Sequence, residues 1–119
     1  MRIERELMRG AGPTAVLRLL ASAEMYGYEL VEALSRQTGG VLAMGQSTLY
    51  PLLYNLEAKG LIEATWHEAD NGRDRKYYRL TGKGKKRLKA DTEQWNALAS
   101  AMQAIGVLTA TRAPAWGTA

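Results

Sequence analysis

The stretch Gln46-Ser47-Thr48-Leu49-Tyr50-Pro51-Leu52-Leu53-Tyr54-Asn55-Leu56-Glu57-Ala58-Lys59-Gly60-Leu61 decides how the rest of the chain is read. Leu49, Leu52, Leu53 and Leu56 fall at i, i+3, i+4 and i+7, the spacing that gathers apolar side chains on one face of an α-helix. The helix is predicted to begin near Ser47 or Thr48, so that Pro51 falls in a first turn whose N–H groups have no intrahelical acceptor to lose. Gly60 suits a left-handed stop, and Leu61 can fold back over the last turn. The opposite face presents Gln46, Ser47, Thr48, Tyr50, Tyr54 and Asn55, all able to donate or accept hydrogen bonds and none needed for the leucine stripe. Such a helix fits a DNA major groove, where side chains from the N-terminal turns read base edges. Gln46 and Asn55 suit adenine, Ser47 and Thr48 a phosphate or a base, and Tyr50 a phosphate. Packing of Tyr50 and Tyr54 at i, i+4 is the alternative for those two rings.

Upstream, Pro13 suits a first helical position, and Ala15, Val16, Leu17, Leu19, Leu20 and Ala23 make a strongly apolar helix that is expected to form the buried floor of the core. Residues 1–12, broken at Gly10-Ala11-Gly12, read as a short helix or arm. Gly27 precedes a second helix with Leu30, Val31 and Leu34 inward and Glu29, Glu32 and Arg36 outward, ended by Gly39-Gly40. Downstream of the third helix the period changes. Ile62, Thr65 and Trp66, then Tyr77, Tyr78 and Leu80, are strand formers, and Asp70-Asn71-Gly72-Arg73-Asp74 between them contains the Asn-Gly signal of a tight hairpin. Three short helices followed by a hairpin give a mainly α fold with a two-stranded β-wing, a winged helix-turn-helix. Domain assignments follow: 1–12 an N-terminal arm or short helix, 13–81 the winged domain, 82–106 a C-terminal helix, 107–119 a tail in which Trp116 has no assigned role.

Thr81 is positioned to cap that C-terminal helix. Leu88, Trp95 and Met102 repeat every seven residues, and of the seam positions three residues after each, Leu98 and Ile105 are apolar and Asp91 is not. A heptad seam on a terminal helix points to a second copy of the chain, since a domain of 119 residues has little surface to cover it. Packing back onto the first helix is the alternative. Trp95 on a twofold seam serves either as an interface anchor or as one wall of a site for a planar hydrophobic ligand.

Charge adds a partner. The net charge is +4, but nine of the sixteen Lys and Arg lie between Arg73 and Lys89 with only Asp74 opposing them, so the remainder is net acidic. A concentrated basic segment on an acidic body is the footprint of a polyanion site. Arg73 and Arg75 flank the hairpin tip, where arginine suits a narrow minor groove. Lys76 lies on the strand behind, and Lys83 opens the last helix, where cations oppose the helix dipole unless an anion joins them. With no cysteine there is neither a disulfide framework nor a thiolate metal site. The lone histidine, His67 beside Glu68 and Asp70, reads as part of a solvated polar patch rather than a metal or general-base site. Phosphate-loop, Gly-x-Ser-x-Gly and cysteine-nucleophile patterns are missing. No catalytic residue, metal or cofactor is assigned. No run is long enough for a membrane span and the N-terminus lacks a signal-peptide core, so a cytoplasmic, non-enzymatic protein is expected.

Several segments together resemble the PadR family of transcription regulators: Tyr26-Gly27-Tyr28-Glu29-Leu30, Ser47-Thr48-Leu49-Tyr50-Pro51-Leu52-Leu53 with Leu56-Glu57 and Gly60-Leu61-Ile62, then Asn71-Gly72-Arg73 with Tyr77-Tyr78-Arg79-Leu80-Thr81 and Gly84. They span about residues 13–88, and the single C-terminal helix is similar to that of the compact subgroup. The resemblance implies a homodimeric winged-helix repressor on palindromic double-stranded DNA. It also implies DNA roles for Ser47, Thr48, Tyr50 and Arg73, and a flat hydrophobic ligand beside a tryptophan of the last helix, matched in position by Trp95. Asn55 departs from the basic residue frequent there in the family. A winged-helix protein–protein adaptor without specific DNA binding is the alternative function.

Overall fold

The computed structural model describes residues 1–68 and 71–109; Asp70 of the expected hairpin tip and Trp116 of the tail lie outside them. The elements are α1 (Arg5–Ser22), β1 (Met25–Tyr26), α2 (Gly27–Gln37), α3 (Gln46–Ala58), β2 (Ile62–Glu68), β3 (Asp74–Leu80) and α4 (Gly82–Ala104). They form two units, Met1–Lys89 and Ala90–Ala119, so α4 begins in the first and continues in the second.

The break expected at Gly10-Ala11-Gly12 and the first-position role given to Pro13 are both corrected, because α1 runs uninterrupted from Arg5 to Ser22. The reason is tertiary. Gly12 is buried, and a Cβ there would stand 3.1 Å from Leu52 Cδ1 and 3.5 Å from Met44 Cε, so the missing side chain lets α1 lie close to α3. Interior glycine and proline cost a free helix about 1 and 3 kcal/mol. Burial of Val16, Leu17 and Leu20 on the same face offsets that cost. The helix is also one-sided rather than buried all round, with Arg18 exposed and its guanidinium donating to Ser22 Oγ at 2.9 Å.

In α2, Leu30, Ala33 and Leu34 are buried and Val31 is half-buried, while Glu32 and Arg36 are exposed. Glu29 turns back to its own helix start, where its Oε1 accepts the Tyr26 N–H at 3.1 Å. In α3 the stripe is as expected: Leu49, Leu53 and Leu56 are buried, and half-buried Leu52 packs against them. Its end is closed twice over, by Gly60 N–H to the Glu57 carbonyl at 2.9 Å and Leu61 N–H to the Leu56 carbonyl at 3.0 Å, with Gly60 at φ +74°. The start differs from expectation. Because the helix begins at Gln46, Pro51 sits in the second turn and denies the Ser47 carbonyl its usual donor.

β2 and β3 pair antiparallel from Ile62↔Leu80 to Glu68↔Asp74, and the sheet has a third strand the sequence did not reveal. β1 pairs with β3 through Met25↔Tyr78 and Tyr26↔Tyr77, giving the order β1-β3-β2. Ile62, Leu61 and Tyr78 close the core over α1, α2 and α3.

The turn from β3 into α4 is tied to the end of α3. Thr81 Oγ1 accepts the Gly84 N–H at 3.0 Å as the expected cap, and the same hydroxyl donates to the Gly60 carbonyl at 2.6 Å. Thr81→Ala removes both bonds and is expected to lower unfolding free energy by about 1–2 kcal/mol in a denaturant melt, with Thr81→Ser retaining most of it. An unchanged midpoint in the alanine variant would mean that water replaces both bonds without loss.

In the second unit α4 continues to Ala104 and ends at Gly106 (φ +88°), where Val107 N–H donates to the Met102 carbonyl at 2.8 Å. Among the described residues no helix is long and apolar enough to cross a membrane.

Candidate nucleic-acid interface

The polar face of α3 is open. Gln46, Ser47, Thr48, Tyr54 and Asn55 are exposed, and Tyr54 shows 73% of its surface. The first turn carries no acidic side chain, which leaves the positive end of the helix dipole unopposed. Tyr50 is exposed on one side only. A Cβ on Gly27 would lie 2.8 Å from its Cζ, so the ring lies directly over the first residue of α2. Gly27 is thus required for the closeness of α2 and α3, and Tyr50 joins the two helices while leaving 45% of its surface free.

Strand alternation sorts the hairpin into two faces. Ile62, Ala64 and Trp66 share the core-side face with Leu80, Tyr78 and Lys76, while Glu63, Thr65 and His67 share the outer face with Arg79, Tyr77 and Arg75. Arg75 and Lys76, grouped by sequence as one basic patch, therefore point to opposite sides. The Arg75 guanidinium stacks 4.4 Å over the Tyr26 ring, and Tyr26 meets Tyr77 edge-on with centroids 5.4 Å apart. His67 extends this row, 5.0 Å from Tyr77, with Nε2 3.0 Å from Thr65 Oγ1 and 3.4 Å from Glu24 Oε1. Arg79 pairs with Glu63 across the ladder. The row straps β2 over β3 to the segment leading into β1.

On the other side Lys76 Nζ lies 3.4 Å from Glu57 Oε1 of α3 and 5.3 Å from the Tyr78 ring centroid. Burial disfavours the Lys76 ammonium, but Tyr78 and Glu57 outweigh it and hold its pKa above the ordinary lysine value. Burial raises that of the Tyr78 hydroxyl, against the pull of Lys76. The pair fastens the wing to α3. Lys83 is likewise engaged, its Nζ donating to the Lys59 carbonyl at the end of α3 at 2.8 Å. Arg73 differs. It is exposed beside Gly72 (φ +78°), its backbone N–H donates to Asn71 Oδ1 at 3.1 Å, and its side chain meets no partner among the described residues.

So Arg73 and the polar residues of α3 are open to a ligand, whereas Arg75, Lys76 and Lys83 hold the scaffold as well. Sequence reasoning overlooked Tyr26 and Glu57. The parity of positions 75 and 76 was the available signal that two faces were involved; Tyr26 and Glu57 are non-local partners with no local signature. Among the described residues no group of three or more His, Cys, Asp or Glu could hold a metal.

On α4, Leu88 packs against the core of the first unit. In the second unit Trp95, Leu98 and Ile105 are exposed, Ile105 at 76%, and Met102 is half-buried.

The sequence profile of the Transcriptional regulator PadR-like family matches residues 16–90. A transcriptional regulator of Mycobacterium tuberculosis is 37% identical over 95 residues, which is 80% of this chain and 85% of that protein. Among solved structures, a Streptococcus transcriptional regulator is similar at a TM-score of 0.76 and 33% identity, over 86% of this chain and 98% of that one. A PadR-like transcriptional regulator from Bacillus cereus is similar at a TM-score of 0.75 and 27% identity, over 84% and 95% of the two chains.

Proposed function

The chain belongs to the PadR-like family of transcriptional regulators, and from that premise we propose that it is a sequence-specific repressor acting as a homodimer on a palindromic operator in the cytoplasm. As a member of a family of regulators it is not an enzyme. The observation that carries the proposal is the open polar face of α3 beside a hairpin whose tip presents Arg73 to solvent. Gln46, Ser47, Thr48, Tyr50, Tyr54 and Asn55 then address a major groove, and Arg73 an adjacent minor groove. Lys83, Lys85 and Lys86 lie in the first turns of α4 with no acidic residue in its first turn, an arrangement that costs about 0.3–1 kcal/mol per exposed cation unless a polyanion is near. Trp95, Leu98, Met102 and Ile105 supply the seam to a second copy, while Leu88, expected on that seam, packs on the core of its own chain. A flat hydrophobic compound beside Trp95 releases the DNA.

The protein adaptor remains the competing reading, and the engagement of Arg75, Lys76 and Lys83 within the chain favours it to that extent. Titrating a labelled duplex from the region upstream of its own coding sequence against salt separates the two. With about three phosphate contacts per protomer, log affinity should fall against log salt with a slope of about −5. Arg73→Ala should shallow that slope by roughly 2 for a dimer. Binding indifferent to both salt and sequence would remove the operator reading.

A further inference from the structure

The outer half of the hairpin is held from both faces. Ile62 and Tyr78 are buried in its inner half, whereas Trp66, His67, Glu68 and Asp74 further out are exposed. Two paired strands without a packed face are marginal by themselves, so side-chain ties decide where the tip stands. On the outer face Arg75 stacks over Tyr26, and His67 lies 3.4 Å from Glu24 Oε1. On the core-side face Lys76 reaches Glu57 of α3, and Arg73 stands at the tip three residues from Lys76. A carboxylate at position 57 carries two local costs. It sits in the last turn of α3, where a negative charge opposes the helix dipole. It also charges the helix proposed to enter a groove with the sign that phosphates repel. Its partly exposed pair with Lys76 contributes little to stability in return. Neither folding nor attraction to DNA accounts for Glu57, which leaves the geometry that the pair imposes on α3 and the wing.

We propose that Glu57 is a positioning residue for DNA binding, which through Lys76 fixes the hairpin against α3 so that Arg73 and the polar face of α3 meet one duplex together. The inference rests on the DNA-binding reading above and deepens it by naming what sets the wing. A wing held in place before binding has less freedom to lose on contact, so Glu57 raises affinity without touching the duplex.

The test uses the full chain and a fluorescein-labelled duplex from the region upstream of its own coding sequence, in a double-mutant cycle with Arg73. Glu57→Gln should weaken binding by about fivefold, although it removes a negative charge and frees the Lys76 ammonium. Arg73→Ala should cost about tenfold in the wild type and only about twofold in the Glu57→Gln background, because a misplaced wing has already lost most of that contact. Lys76→Met, which keeps the stem beside Tyr78, should reproduce both effects, and it carries the cycle if Glu57→Gln lowers the melting temperature. Tighter binding with a steeper salt slope in Glu57→Gln overturns the inference, by making Lys76 a phosphate contact that Glu57 restrains. Equal losses on Arg73→Ala in both backgrounds, or no loss in either, overturn it too while leaving the DNA reading intact. If the wild type does not bind the duplex, both fall.

Discussion

Gly84→Ala is expected to destabilise the protein by at least about 3 kcal/mol, although it exchanges a poor helix former for the best one. Propensity alone predicts a gain of roughly 1 kcal/mol for this change inside a helix. The surroundings reverse the sign. A Cβ at Gly84 would overlap the Leu61 carbonyl oxygen, lie 3.0 Å from the Leu61 carbonyl carbon and stand 2.7 Å from Leu80 Cδ1. Leu61 is fixed by the closure of α3, and its carbonyl already accepts the Thr81 N–H at 3.1 Å, so the backbone cannot retreat without breaking that bond. For a domain of this size the loss corresponds to a fall in melting temperature of roughly 12–24 °C. Gly82 supplies the control, since nothing lies within 4 Å of a Cβ placed there. Gly82→Ala should be neutral or slightly stabilising. Equal melting temperatures for the two variants would show that α4 does not seat on Leu61 in solution.

The second large effect concerns assembly. Met102→Glu should convert the protein from dimer to monomer at micromolar concentration in sedimentation velocity. Met102 falls seven residues after Trp95 and four after Leu98 on one face of α4, with Ile105 beyond, and Trp95, Leu98 and Ile105 are all exposed in the single chain. On the proposed twofold seam the substitution brings two carboxylates into a dry contact, a cost of several kcal/mol. Operator affinity should fall by about a hundredfold or more, because two half-sites can then no longer be engaged by one particle. Met102→Leu, which keeps the volume, should leave both properties nearly unchanged. A glutamate variant that sediments as the wild type would place the seam elsewhere.

The parts of the fold visible in the sequence were those specified locally. The leucine stripe of α3, the Gly60 stop with Leu61 folded back, the Asn71-Gly72 turn and the Thr81 cap each depend on residues within a few positions of one another. The parts that escaped depend on contacts across the chain. Gly10, Gly12 and Pro13 read as a break because propensity is a local quantity, whereas α1 stays whole through the approach of Gly12 to Leu52 and Met44. β1 is two residues long and exists only as a rung on β3. At the interface, the polar face of α3 and the exposure of Arg73 were legible from type and spacing. That Lys76 answers to Glu57, Lys83 to the end of α3, and Arg75 to Tyr26 was not, since each partner is supplied by another element.

The ties from Thr81 and Lys83 to the end of α3 bear on how the chain can be taken apart. The winged domain was assigned to residues 13–81, and a fragment cut after residue 81 keeps α3 but discards Lys83 and Gly84, which bond to and seat against its far end. A fragment that keeps those ties extends into the opening turns of α4, so the segment that follows the hairpin is as much a keystone of the head as the beginning of an arm.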